Sequence, residues 1–250
     1  MTRFLRRMAK SILFKQGYQI SKVHARPMHT LRADHSHRGK VIEFIGPSGV
    51  GKTYLFEKSR TSLRAHWKPV TTPIGFKVHF GFAPPYWSLL TPMAQRLTER
   101  SLNDYQRAGL LQYYSSIIAA ELEMSTQLAR SSFMLDEGIF HNFSEQLMEL
   151  EDSAFSMATS SRAIILVLPS RPETVMERRS QRFPEGDPLD TPDLTNAEQL
   201  ELIESNCAAL AALAARAETF GVKCLRIAAE DPTEKTLASV TAFGRRLIGT

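Results

Sequence analysis

The chain has 250 residues, 43% of them hydrophobic and 23% charged, and carries a net +5 at neutral pH. That length supports one α/β domain of about 200 residues with a short appendage. The only two cysteines, Cys207 and Cys224, exclude a disulfide framework and lack metal-ligand spacing, and no apolar run approaches the length of a membrane span.

Charge locates the appendage. Residues 1–40 hold ten Lys or Arg against a single acid, Asp34, so they carry +9 and the remaining 210 residues carry −4. Phe4, Leu5, Met8, Ile12 and Leu13 recur at helical spacing among Arg3, Arg6, Arg7, Lys10 and Lys15. An amphipathic helix on an anionic membrane surface is built this way, and so is a disordered basic arm. A cleaved presequence or a nucleic-acid-binding arm are the lesser alternatives. No continuous apolar stretch follows the arginines, which excludes an ordinary secretory signal. Residues 24–39 read as a polar linker in which His35 and His37, without a Cys or carboxylate partner, are solvated side chains rather than metal ligands.

The run Val41-Ile42-Glu43-Phe44-Ile45 reads as a buried strand, and it leads directly into Gly46-Pro47-Ser48-Gly49-Val50-Gly51-Lys52-Thr53. This octet fills every fixed position of the G-x-x-x-x-G-K-[ST] phosphate loop, with a helix-compatible stretch from Tyr54 to Arg64 after it. Glycines let the backbone N–H groups turn inward, and the helix that follows presents its positive dipole end to phosphate. Lys52 would reach the β- and γ-phosphates of ATP, and the Thr53 hydroxyl would ligate Mg²⁺.

Beyond the loop, strands are expected near 69–72, at 132–136, 163–168 and 222–227. Helices are expected at 52–64, 104–130, 143–158, 172–182, 195–220 and 233–248. This alternation implies a parallel sheet with ligand at the carboxyl ends of its strands. The stretch 73–92, rich in Pro, Gly and aromatics including Phe80, Phe82, Tyr86 and Trp87, reads as a long connection, either a substrate-covering loop or a packed insertion. Cys207 on a helix and Cys224 on a strand read as buried, reduced thiols of a cytoplasmic protein.

Two further segments carry chemistry. The strand Ser132-Phe133-Met134-Leu135 ends in Asp136-Glu137-Gly138, where a nucleotide-binding fold places an acid to hold Mg²⁺ or to take a proton from an attacking hydroxyl. After the strand 163–168 comes Pro172-Glu173, then Arg178 and Arg182, four apart on one helical face and able to clamp a transferring phosphoryl group. Arg171, at that strand's end, is a further candidate cation. Residues 183–192, with three prolines and Gly186, read as a lid continuing from the arginine helix.

Together these motifs resemble the small-molecule kinases of the P-loop class, closest in layout to thymidylate and deoxynucleoside kinases. The resemblance implies a three-layer α/β/α sandwich with a five-stranded parallel sheet of order 2-3-1-4-5 and a mobile lid. It divides the chain into a basic extension and linker over 1–38 and a kinase-like domain over 39–250. It matches Lys52 to the phosphate lysine, Asp136 or Glu137 to the acid after the third strand, Arg178 and Arg182 to lid arginines, and Ala228-Ala229-Glu230-Asp231-Pro232 to the backbone laid against adenine. Glu137 stands where thymidylate kinases carry an arginine. The implied activity is ATP- and Mg²⁺-dependent phosphoryl transfer to a small acceptor, a nucleoside, nucleotide, sugar or glycan-lipid hydroxyl. A homodimer and peripheral attachment to the inner membrane surface through residues 1–22 stay open. A P-loop ATPase with a regulatory or partner-binding role is the alternative reading.

Overall fold

A computed structural model describes residues 40–70, 84–99, 103–127, 131–182 and 194–249, all within one compact unit. The basic extension and linker over 1–38, the segment 73–83 with Phe80 and Phe82, and the lid over 183–192 lie outside the described residues.

Five strands, β1 (Val41–Ile45), β2 (Trp67–Val70), β3 (Ser132–Leu135), β4 (Arg162–Leu168) and β5 (Lys223–Ala228), form one sheet in the order β2-β3-β1-β4-β5. Every pairing is parallel, with Val41 beside Phe133 on one side of β1 and beside Arg162 on the other. β1 is central and all five of its residues are buried, which is why it reads as an apolar run broken only by Glu43 rather than an alternating one.

Helices cover both faces: α1 (Lys52–Leu63), α2 (Pro84–Glu99), α3 (Asp104–Gln127), α4 (Ile139–Asn142), α5 (Ser144–Glu149), α6 (Asp152–Thr159), α7 (Pro172–Arg182), α8 (Asn196–Thr219) and α9 (Thr233–Ile248). Along β1 and β4 the residues divide by parity. Ile45, Ile164 and Leu166 pack with Leu89 of α2, Ile117 and Ile118 of α3, Phe140, Leu147 and Phe155 of α4–α6, and Leu213 of α8. Ile42, Phe44, Ile165 and Val167 pack with Leu55 and Phe56 of α1, Val175 of α7, and Val240 and Phe243 of α9. Phe44 and Phe56 meet edge to face with ring centroids 5.8 Å apart. Each fully buried side chain of this size is worth roughly 1.5–3 kcal/mol in transfer from water. The expected α/β/α sandwich and its 2-3-1-4-5 order are therefore the fold observed.

Four expectations change in detail. Residues 84–92, read as loop, are the first half of α2: Pro84 and Pro85 sit in its first turn, where no N–H is needed, and Leu89, Met93 and Leu97 line up one turn apart and are buried. The expected single helix over 143–158 is instead α5 and α6, preceded by the short α4, because Phe143 and Leu150 leave the helical conformation at the breaks. β2 runs two residues earlier than expected, with Trp67 buried at its start. Cys207 and Cys224 are free thiols but half-buried rather than fully so. Among the described residues no helix is long and apolar enough to cross a membrane.

Candidate active site

The phosphate loop is held from beneath. Val50 is buried in the core, and a Cβ on Gly46 would stand 2.2 Å from the Val167 carbonyl oxygen, so β4 passes too close for any side chain. Gly49 and Gly51 have φ of 87° and 101°, a region that L side chains rarely adopt. The Leu55 N–H donates to the Gly51 carbonyl at 3.1 Å, and α1 begins at Lys52. The loop amides and the dipole of α1 therefore converge where an anion can sit. Lys52 is buried, its Nζ donates to the Pro47 carbonyl at 3.3 Å, and it lies 3.8 Å from Glu137 Oε1. Burial pulls the Lys52 ammonium below its ordinary pKa, while Glu137 and Asp136 hold it up.

β3 delivers the acids beside that lysine. Asp136 is half-buried directly after the strand, and its Oδ1 has no hydrogen-bond partner among the described residues. Burial raises its pKa; a hydrogen bond from the Thr53 hydroxyl works in the opposite direction. Pairing between the loop hydroxyl and this carboxylate suits a Mg²⁺ ion, which takes few protein oxygens and keeps phosphate and water as its other ligands.

Glu137 is the hub. The Tyr113 hydroxyl from α3 lies 3.0 Å from Glu137 Oε2 and 3.1 Å from Asn142 Oδ1. His141 Nε2 lies 3.4 Å from Glu137 Oε1. Burial and the Lys52 charge push the His141 pKa down to about 4, so the ring is neutral at pH 7. With the proton assigned to Nε2, facing Glu137, the buried Nδ1 is an acceptor and has no partner among the described residues. Asn142 Nδ2 donates to the Gly138 carbonyl at 3.0 Å, which turns its Oδ1 toward Tyr113. Burial and the Glu137 charge raise the Tyr113 phenol above its usual pKa, so it stays protonated with one hydrogen for two acceptors. The single Tyr113 hydrogen is thus shared between Glu137 Oε2 and Asn142 Oδ1, while Lys52 and His141 stand on the Oε1 side.

On the other side of the loop, α7 contributes arginines. Arg178 Nη1 donates to the Val50 carbonyl at 2.6 Å and Nη2 to the Ala229 carbonyl at 2.9 Å. Arg179 Nε donates to the Ser48 carbonyl at 3.2 Å. Arg182 is exposed in the last turn of α7, and Arg171 is exposed before that helix. A cavity of about 290 Å³ opens beside Arg178, with Tyr54, Ala229, Asp231 and the buried Thr236 in its wall. Among the described residues the Thr236 hydroxyl has no hydrogen-bond partner.

The fold thus brings Lys52, Thr53, Asp136 and Glu137 together and sets Arg178 against the loop, while Arg182 stands at the helix end. Sequence reasoning missed Tyr113, His141, Asn142, Arg179 and Glu43. His141 alone left a signal, one helical turn after Glu137. Tyr113 comes from a helix 24 residues upstream in sequence, and no spacing rule points to it.

No protein-family model matches the sequence, and no curated protein matches it. Among solved structures the chain is similar to deoxyadenosine kinase from M. mycoides with bound dATP, at TM-score 0.45 and 10% identity over 82% of this chain and 98% of that one. The same enzyme with dCMP and dCDP bound aligns at TM-score 0.44 and 12% identity, over 81% and 97% of the two chains. A gluconokinase from Sinorhizobium meliloti 1021 aligns at TM-score 0.39 and 13% identity, over 85% and 95%. Likeness at this level carries no argument about activity, which rests on the residues of this chain.

Proposed function

We propose that the chain is an ATP- and Mg²⁺-dependent kinase that phosphorylates a neutral hydroxyl of a small acceptor such as a nucleoside or a sugar. The observation that carries this reading is the placement of Glu137 between Lys52 of the phosphate loop and the Tyr113–Asn142–His141 cluster. A carboxylate so placed lies within reach of both a γ-phosphate held by Lys52 and a nucleophile on the far side.

The loop amides and Lys52 bind and orient the triphosphate, with Thr53 and Asp136 as the protein oxygens for Mg²⁺. When bound, Mg²⁺ supplies charge neutralisation on the β- and γ-phosphates. Glu137 accepts the proton of the acceptor hydroxyl, and Tyr113 and Asn142 fix the carboxylate's direction. The cavity beside Arg178 takes the nucleobase, whose face can stack on the guanidinium held flat by Val50 and Ala229. Arg182, at the end of α7 next to the lid segment, is the cation for the phosphoryl group in flight.

With one Tyr113 hydrogen shared between Glu137 and Asn142, an incoming molecule that brings hydrogens, as a hydroxyl does, is favoured. A monophosphate would bring further acceptors and negative charge to a carboxylate. Acceptor-dependent ADP release, measured on nucleosides and sugars and on their monophosphates, tests this. Higher kcat/KM for the neutral set is expected, and preference for the phosphorylated set would refute the choice of acceptor.

A further inference from the structure

One buried charge has no part in the chemistry above. Glu43 is the third residue of central strand β1 and is fully buried in an otherwise apolar run. A carboxylate in that place is costly to desolvate unless its lone pairs are met. They are met by the backbone of the turn that leaves β3. Glu43 Oε1 accepts the N–H of Gly138 at 3.0 Å and of His141 at 2.8 Å. Its Oε2 lies 3.4 Å from Arg162 Nη1, and Arg162 also pairs with the buried Glu121 of α3. The packing is close: a Cβ on Gly138 would stand 2.6 Å from Glu43 Oε2.

The residues on either side of those amides are the ones that face Lys52. Glu137 directly precedes Gly138, and His141 provides both one of the amides and the ring beside Glu137. α3, reached through Arg162 and Glu121, is the helix that brings Tyr113 to the same carboxylate. An apolar side chain of similar volume would fill the interior of β1 at no loss of packing, but it would leave two buried amides without acceptors.

We propose that Glu43 is a positioning residue: from inside the sheet it pins the backbone of Gly138 and His141, and so holds the Glu137 carboxylate and the His141 ring against Lys52. The inference rests on the reading of Glu137 as the group that meets the acceptor. It assigns Glu43 no contact with nucleotide or acceptor.

Glu43→Gln and Glu43→Met separate this role from a merely structural one. Gln keeps an oxygen for the two amides, and Met fills the volume without one. ATP affinity should stay within about twofold of wild type in both, since neither change touches the phosphate loop. Single-turnover transfer should fall about 100-fold in Glu43→Met and no more than about 10-fold in Glu43→Gln, the size of effect expected when a reacting group is misplaced by an ångström or so. Amide hydrogen exchange at Gly138 and His141, which needs no acceptor, should speed up at least about tenfold in Glu43→Met. If that variant does not fold, the Gln variant is read by the same two measurements, with smaller changes in the same direction. Wild-type transfer in Glu43→Met, equal losses in Met and Gln, a fall in transfer matched by a fall in ATP affinity, or unchanged exchange at both amides would each overturn the proposal. A wild-type protein that transfers phosphoryl to no acceptor would defeat the kinase reading itself, and amide exchange would still decide whether Glu43 pins the turn.

Discussion

Lys52 and Glu137 make opposite demands on a measurement, and that separates their roles. Lys52 supplies fixed charge where the γ-phosphate sits, so Lys52→Ala should weaken ATP binding and abolish turnover while the fold survives. Glu137→Gln keeps the Tyr113 contact but removes the proton acceptor. Transfer should drop about 10²- to 10⁴-fold in single-turnover kinetics with ATP affinity little changed. Fast acceptor-independent hydrolysis that Glu137→Gln blocks would instead mark a water-activating ATPase. The two arginines should also part company. Arg178→Ala removes one donor from the loop carbonyl of Val50, one from the Ala229 carbonyl and a wall of the 290 Å³ cavity, so it should raise the KM for ATP. Arg182→Ala should lower kcat with that KM largely preserved, and equal effects on both parameters in both variants would contradict the assignment.

At the scale of elements, the turn between β3 and α4 is where structure and chemistry meet. Gly138 has φ −133°, a conformation open to alanine, so the obstacle to Gly138→Ala is steric: the new Cβ would meet Glu43 Oε2 at 2.6 Å. Overpacking of this kind typically costs about 1–3 kcal/mol, readable by urea unfolding. The same contact has a pH signature. Burial pushes the Glu43 carboxyl from 4.5 up to about 7, although Arg162 works the other way. Between these values the native state holds a proton that the unfolded chain has released. The carboxyl's contribution to stability is therefore fully present below pH 4.5 and is lost as pH rises through about 7. Glu43→Gln removes this titration. The stability of wild type relative to that variant should decline from pH 4.5 to 7 in paired unfolding curves, and a constant or growing difference would count against it.

The turn also shows why parts of the site were legible in sequence and others were not. The loop, β1, β4, α1, α7 and α9 could be read because their signals are local: fixed glycines, unbroken apolar runs and helical spacing. Glu43 is the polar exception inside such a run, and its partners lie 95 and 98 residues away, so nothing in its neighbourhood says what it holds. Tyr113 sits on α3, where many positions are half-buried, and only the fold tells which of them faces β3. α2 was hidden by composition. Prolines that usually mark loops sit in its first turn, and Pro92 lies within it, while burial of Leu89, Met93 and Leu97 decides the outcome.

Across the whole molecule, the sheet order places the loop after central β1 between the ends of β3 and β4, so one strand end carries the glycine-rich loop, its neighbour brings acids and the other leads to arginines. In the proposed reading that layout would bring the triphosphate and the acceptor to opposite sides of Lys52 and Glu137. The direct test of the whole account is single-turnover ADP formation from bound ATP, with and without a panel of neutral nucleosides and sugars. Transfer that a neutral hydroxyl acceptor accelerates, and that Glu137→Gln suppresses without loss of ATP binding, is the expected result. ATP hydrolysis at full rate with no acceptor, unchanged by any member of the panel, would contradict it.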